Sequence, residues 1–234
     1  MTSSATKSLS AANPNEIKRV WELIDPRRPI LELRAIQPKG ATSVLPPVVR
    51  HFRLDEYRDL ESRTAAFEEI ALELNQRGYN AYAPFNPIRS DFRGPGGARD
   101  ADIDSRAWIL FDIDRQGDTS CPATEEEIDA ARALARSIRE YLSSMGWPPP
   151  LVMESGNGVH LYYPLENLEN SDAVSAQIKR TLSGLANKFD TDVVGVDRVV
   201  YNAGRITKIP GTIARKGAES EGRPYRMARI LDDL

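Results

Sequence analysis

Asp112 and Asp114 stand two residues apart in Phe111-Asp112-Ile113-Asp114, at the end of the apolar run that begins at Trp108. Side chains alternate faces along a strand, so the spacing predicts both carboxylates on one side, above Trp108 and Leu110. Two carboxylates that close repel one another unless a cation lies between them. Hard divalent cations such as Mg²⁺ or Mn²⁺ take oxygen ligands of this type. The plain alternative is a strand end where two aspartates simply meet water. A second group follows Glu154, in Ser155-Gly156-Asn157-Gly158-Val159-His160. Glycine lets backbone N–H groups approach a phosphate closely. The Ser155 hydroxyl and a His160 ring N–H can donate to the same anion. The alternative is a hairpin turn with a core histidine; the chain's other histidine is His51. A third group begins at Asp197, behind Val193, Val194 and Val196, and supplies a further carboxylate. It continues through Arg205 and Lys208, whose spacing predicts one side of a helical turn, to Arg215 and Lys216. A solvated basic strip is the alternative there.

The elements that would carry these groups are readable from periodicity and punctuation. Asn13-Pro14 predicts the start of a short helix with Ile17, Val20, Trp21 and Ile24 on one face, ended at Asp25-Pro26. Strands are predicted over residues 30–36 and 48–52, a helix over 64–76 stopped at Gly78, and a strand over 79–85. Residues 90–101 read as a loop rich in Gly, Arg and Asp. The run 108–114 is the most apolar strand of the chain. Thr124 and Glu127 form a capping box for a helix over 124–144. Strands at 151–154 and 159–164 flank the Gly turn, and Ser171 caps a helix whose stripe runs from Val174 to Phe189. Short strands are predicted at 199–202 and 226–231. Strands and helices mix without a βαβ repeat, so an α+β fold is predicted, with helices on one face of a mixed or antiparallel sheet.

Composition narrows the classes. The 234 residues are 41% hydrophobic and 28% charged, which excludes wholesale disorder. With 31 basic and 34 acidic residues the net charge of −3 excludes a uniformly basic nucleic-acid coat, though not a basic groove. That total hides an asymmetry. Residues 100–140 hold 11 acidic and 5 basic residues, a balance of −6; residues 198–229 hold 8 basic and 2 acidic, a balance of +6. Solvated surface charge is one reading, and a metal site beside a phosphate-binding strip is the other. The single cysteine, Cys121, excludes an internal disulfide and a cysteine-rich zinc module, and suits a reducing cytoplasm, the expected location. No apolar run is long enough for a membrane span. Residues 1–14 read as a disordered tail, and 15–234 as one domain with an α/β part at 15–100 and a metal- and nucleotide-binding part at 101–234.

Taken in order, FDID, SGNGVH, and VD followed by NAGRITKIPGT resemble the three motifs of the archaeo-eukaryotic primase superfamily, most of all its bacterial, phage and plasmid primase–polymerase branch. LELRAI and NAYAPFNPI upstream and RPYRMARIL downstream agree, so the resemblance covers nearly the whole chain. It implies an RNA-recognition-like catalytic subdomain packed against an N-terminal α/β subdomain, and a template-dependent nucleotidyltransferase, a DNA primase and/or polymerase. By the same resemblance, Asp112, Asp114 and Asp197 hold two divalent ions, Mg²⁺ or Mn²⁺, and are the catalytic residues. Ser155, Gly156, Gly158, His160, Arg205 and Lys208 bind the nucleotide, while Arg215 and Lys216, in the basic segment, are expected on the nucleic acid. The implied partners are a single-stranded or primed DNA template, nucleoside triphosphates and a helicase acting in trans, with no membrane. A non-catalytic RNA-recognition-like module of a replication initiator is the alternative; it would display stacking aromatics where this chain displays carboxylates. A nicking endonuclease would need clustered histidines, which are absent. A nucleotide cyclase shares the two-metal chemistry, and only the second and third motifs stand against it.

Overall fold

The computed structural model describes residues 11–38 and 45–234. In chain order its elements are α1 (Pro14–Ile17, continued by a 3₁₀ turn, Lys18–Glu22), β1 (Ile30–Ile36), β2 (Val48–Arg53), α2 (Leu60–Gln76), β3 (Asn80–Pro84), β4 (Ser105–Arg115), α3 (Glu125–Ser144), β5 (Leu151–Glu154), β6 (Val159–Glu169), α4 (Asp172–Phe189), β7 (Val194–Val196), β8 (Ile206–Lys208), β9 (Ile213–Ala214), β10 (Arg226–Met227) and β11 (Arg229–Leu231). Of the tail expected at 1–14, residues 1–10 lie outside the described residues. Asn13 and Pro14 belong to α1 instead, because the Asn13 side chain accepts from the N–H groups of Asn15 and Glu16.

Two sheets organise the molecule. One has the order β2-β1-β3-β8 and the other β11-β5-β6-β4-β7; β9 and β10 form a separate ribbon. Every ladder among the described residues is antiparallel. The class is α+β, as the sequence predicts. On β4, Ile109, Phe111 and Ile113 are buried, and Phe111 packs between the rings of Trp147 (6.0 Å) and Tyr163 (5.3 Å). Burying a side chain of this size contributes about 2–3 kcal/mol. The apolar stripe of α3, from Ile128 to Leu142, closes over the five-stranded sheet. α2 covers the four-stranded sheet, and its fully buried Arg63 donates to the carbonyls of Phe52, Pro26, Arg28 and Pro29. These bonds satisfy a cation that burial would otherwise make costly.

Four local predictions are corrected. The helix predicted over 64–76 begins at Leu60, because Asp59 and Ser62 form a reciprocal capping box. Residues 199–202 are a turn, not a strand: the Asp197 carboxylate accepts the Val199 N–H at 2.8 Å and bends the chain. Arg205 and Lys208 do not share a helical turn, since Lys208 lies on β8 and Arg205 just precedes it. The single strand predicted at 226–231 is split at Ala228, which exchanges backbone hydrogen bonds with Gly211 and Thr212, so β10 and β11 join different sheets.

Candidate active site

β4 and β6 pair with Asp112 opposite His160 and Leu110 opposite Tyr162. Period-two alternation therefore puts Asp112, Asp114, His160 and Tyr162 on one face, opposite Phe111 and Tyr163. β7 adds the third acid. Its three residues pair with the end of β4, Ile113 opposite Val196 and Asp114 opposite Gly195. The Asp197 N–H then donates to the Asp112 carbonyl at 2.8 Å. The sequence places Asp112 and Asp197 about 85 positions apart; one short ladder makes them neighbours.

Each acid faces a base. His160 Nε2 lies 3.3 Å from Asp112 Oδ1, Lys216 Nζ 3.5 Å from Asp114 Oδ2, and Arg205 Nη2 3.4 Å from Asp197 Oδ2. Among the described residues, no three His, Cys, Asp or Glu side chains gather as a ready-made metal cage. The electrostatics of the pair on β4 are split. Burial works against ionisation of Asp112, but the charge and hydrogen bond of His160, with Arg205 and Lys216, more than offset it and hold its carboxyl below the usual range. For Asp114, burial and then the Asp112 charge push the carboxyl up, and Lys216 only partly compensates. Two adjacent carboxylates with opposed shifts are the mark of charge crowding that a cation would relieve. The donors are all carboxylate oxygens, which fits a hard divalent ion.

The Gly turn between β5 and β6 is built for close approach. Gly156 has φ +90°, and a Cβ there would meet Ala214 and the Arg226 carbonyl. A Cβ at Gly158 would strike the Ile113 carbonyl oxygen on β4. Gly158 thus lets the turn pack against the strand that carries the acids, and Gly156 lets it pack against the β9–β10 ribbon. The Ser155 hydroxyl closes this turn: its Oγ accepts from the Gly158 N–H at 3.1 Å and lies 3.3 Å from the Gly158 carbonyl. Asn157 Oδ1 accepts the Ala123 N–H at 3.0 Å, tying the turn to the start of α3. Lys208 pairs with Tyr82 across β3 and β8, with its ammonium 4.5 Å from the Tyr82 ring centre. Burial, then the charges of Lys216 and Arg215, push this ammonium down to about 7. Arg215 turns toward β3, with Nη1 3.4 Å from the Tyr79 carbonyl and its N–H on Asn80 Oδ1. Of the basic pair Arg215 and Lys216, it is Lys216 that reaches the acids.

Sequence reasoning missed four supporting residues. Asp100 Oδ1 accepts the Gly204 N–H (2.7 Å) and Asn202 Nδ2 (3.2 Å), and Asn86 Nδ2 donates to the Ala203 carbonyl (3.1 Å); together they shape the loop between Asp197 and Arg205. Tyr162 and Thr207 lie buried behind His160. Tyr162 carried a readable signal, being two residues from His160 on a strand.

No protein-family profile and no curated protein sequence matches this chain. Solved structures do. The chain is similar, over 95% of its length and 91% of the other, to the primase–polymerase domain of cyanophage S-2L, with TM-score 0.53 and 17% identity. It is similar to the primase RepB′ over 94% of its own length and 56% of that chain (TM-score 0.50, 12% identity). It is also similar to the polymerase domain of Mycobacterium tuberculosis ligase D, solved with DNA, over 87% of its length and 76% of that chain (TM-score 0.50, 17% identity). The chain has the fold of the archaeo-eukaryotic primase–polymerases.

Proposed function

We propose that this chain is a template-dependent nucleotidyltransferase, a DNA primase and/or DNA polymerase, working at the acidic end of β4. The observation that carries the reading is that two aspartates on β4 and one just after β7, brought beside β4 by the β4–β7 ladder, are each faced by a base, on a fold shared with primase–polymerases. Asp112, Asp114 and Asp197 would hold divalent ions, Mg²⁺ or Mn²⁺, which supply charge neutralisation and lower the pKa of a bound hydroxyl. His160, Arg205 and Lys208 would bind the triphosphate, because charge-assisted hydrogen bonds to phosphate are strong and directional. Lys216 holds one Asp114 oxygen until a cation takes its place, and is then free for phosphate or template. Ser155, Gly156 and Gly158 serve the nucleotide indirectly, by setting the turn that presents His160. Basic groups and ions around developing negative charge stabilise the transition state electrostatically.

The test is incubation with a single-stranded DNA template, labelled ribo- or deoxynucleotides and Mg²⁺ or Mn²⁺, with and without an annealed primer. The expected result is template-dependent incorporation that disappears in Asp112→Asn and Asp197→Asn with the fold intact. Primer-free synthesis of dinucleotides and short primers is expected as well, more strongly with Mn²⁺. Extension of annealed primers alone would remove the priming half. Incorporation that survives in either folded aspartate variant would defeat the whole assignment.

A further inference from the structure

Behind His160 runs a line of hydroxyls that joins the two sheets. His160 Nδ1 lies 2.9 Å from the Tyr162 hydroxyl, which is hydrogen-bonded in turn to Thr207 Oγ1. Tyr162 is fully buried and Thr207 is 2% exposed. Tyr162 belongs to β6 of the five-stranded sheet and Thr207 to β8 of the four-stranded one. β8 also carries Lys208 and follows directly on Arg205. The Tyr162 ring is packed edge-on against Phe85, just beyond β3, at 5.6 Å.

With the His160 ring neutral, the partners assign the donor directions along this line. The Asp112 carboxylate only accepts, so the His160 nitrogen that faces it, Nε2, carries the proton. In a neutral ring Nδ1 is then an acceptor, and the Tyr162 O–H must donate to it. Burial pushes the Tyr162 phenol far up, so that proton is always present. The Tyr162 oxygen is left to accept from Thr207. We propose that Tyr162 and Thr207 are positioning residues for the nucleotide-binding histidine: they fix His160 as the Nε2–H tautomer and hold its ring in register with β8. The consequence rests on the reading that His160 binds the triphosphate. The Nε2–H would then be held beside Asp112, at the acidic end of β4 where the triphosphate is proposed to bind, and the distance between His160 on one sheet and Lys208 on the other would be set by a hydrogen bond through the core. A hydrogen-bond partner on the far ring nitrogen commonly sets imidazole tautomer and orientation.

The experiment is ¹⁵N NMR of the imidazole nitrogens of the free protein at pH 9, well above the ordinary histidine pKa of about 6.5. With only His51 and His160 in the chain, His51→Gln assigns the pair. In the parent, His160 should show a protonated Nε2 and a hydrogen-bonded Nδ1. Tyr162→Phe keeps the ring and should move Nδ1 downfield, to the position of an unbonded nitrogen, and let the other tautomer appear. Thr207→Val should produce a smaller change of the same sign, and Thr207→Ser should restore the parent spectrum. Tyr162→Phe should raise the apparent nucleotide KM about fivefold, the equivalent of one ordinary hydrogen bond, and leave template affinity unchanged. The double variant Tyr162→Phe/Thr207→Val should match Tyr162→Phe alone, because the threonine acts only through the phenol. A protonated Nδ1 in the parent, or an unchanged His160 spectrum in Tyr162→Phe, would overturn the proposal. The expected spectra in a protein that transfers no nucleotide would instead refute the function proposed above and leave the tautomer lock standing.

Discussion

Replacing Glu127 by Gln tests how the acidic site is buttressed. Glu127 sits in the first turn of α3 and does three things. Its Oε2 accepts the Thr124 N–H at 2.8 Å, completing the capping box. It binds Arg115 Nη1 at 3.0 Å, the residue that follows Asp114 and ends β4. It binds Arg223 through both oxygens, at 2.9 and 3.1 Å, and so fastens the segment between β9 and β10 that contains Lys216. Burial opposes the charge, but Arg223, the Thr124 N–H and Arg115 outweigh it and bring the carboxyl from 4.5 down to about 2. At about 1.4 kcal/mol per pH unit, that corresponds to about 3 kcal/mol. Solvent on the open side of the carboxylate screens part of this, and Gln keeps one acceptor, so we expect a loss of about 2 kcal/mol at pH 7. The pH dependence has a definite sign. The folded pKa lies below the unfolded one, so the stability is present above pH 4.5 and is lost as the pH falls toward 2. Urea denaturation of parent and Glu127→Gln at pH 7, 5 and 3 should show nearly the same difference at pH 7 and 5 and a clearly smaller one at pH 3. A difference under about 0.5 kcal/mol at pH 7, or one that is constant across this range, would refute the reasoning.

Three further outcomes follow from the same geometry. Asp114→Asn should raise Tm at pH 7 while abolishing nucleotide transfer: burial and the Asp112 charge raise this carboxyl, so its ionisation costs stability above the ordinary value of 3.8, and the gain should vanish below it; a lower Tm for the variant at pH 7 would contradict this. Lys208→Met should stabilise the chain most near pH 6 and least near pH 10, because an ammonium lowered to about 7 costs folding energy wherever it stays charged; a gain independent of pH would sink the assignment. Gly158→Ala should cost about 2 kcal/mol in denaturation experiments, since its methyl meets the Ile113 carbonyl on β4, whereas Gly184→Ala, with open space in mid-α4, should gain about 0.5–1 kcal/mol; equal effects at the two positions would show that the close approach is not what requires glycine at 158.

The sequence carried the site unevenly, and the difference is physical. Asp112, Asp114 and His160 were legible because period-two alternation in two long strands fixes which face each occupies. Asp197 could be named but not placed, because its position depends on β7, three residues whose identity as a strand comes from pairing with β4 rather than from their own pattern. The sequence predicts a strand at 199–202 instead, because the β-branched and aromatic side chains of Val199, Val200 and Tyr201 favour one. The Asp197 side chain overrides that preference, and Val199 ends 63% exposed. Arg205 and Lys208 fit a helical spacing equally well on paper; the partner that makes 206–208 a strand is β3, more than 120 residues earlier. Missing that strand also hid Thr207. Ser155 reads as a phosphate donor from its type, whereas in the fold its oxygen closes its own turn.

The two charge blocks admit a stronger statement than either reading made from composition. The acidic segment at 100–140 and the basic segment at 198–229 meet each other. Asp114 pairs with Lys216, Glu127 with Arg223, and Glu125 with Arg226 at 3.3 Å, while Arg223 and Arg226 also donate to the carbonyls of Pro122 and Ala123. Three pairs and two carbonyl contacts along one seam form a network, which is where ion pairs contribute more than the small amount an isolated surface pair does. The seam is graded. Glu127, flanked by Arg115 and Arg223, is held ionised far below its usual range, whereas Asp114, at the other end, is raised despite Lys216. Neutralisation is thus stronger at Glu127, where the segments are joined, than at Asp114, which shares its strand face with Asp112. A structure that balanced its charge equally everywhere would leave nothing for a cation to relieve. Here the imbalance remains beside Asp112, so a divalent ion entering there would release Lys216 and strengthen the site without loosening the Glu127 clamp. Stability measured against Mg²⁺ should therefore rise in the parent and stay flat in Asp114→Asn; an equal rise in both would place the ion elsewhere.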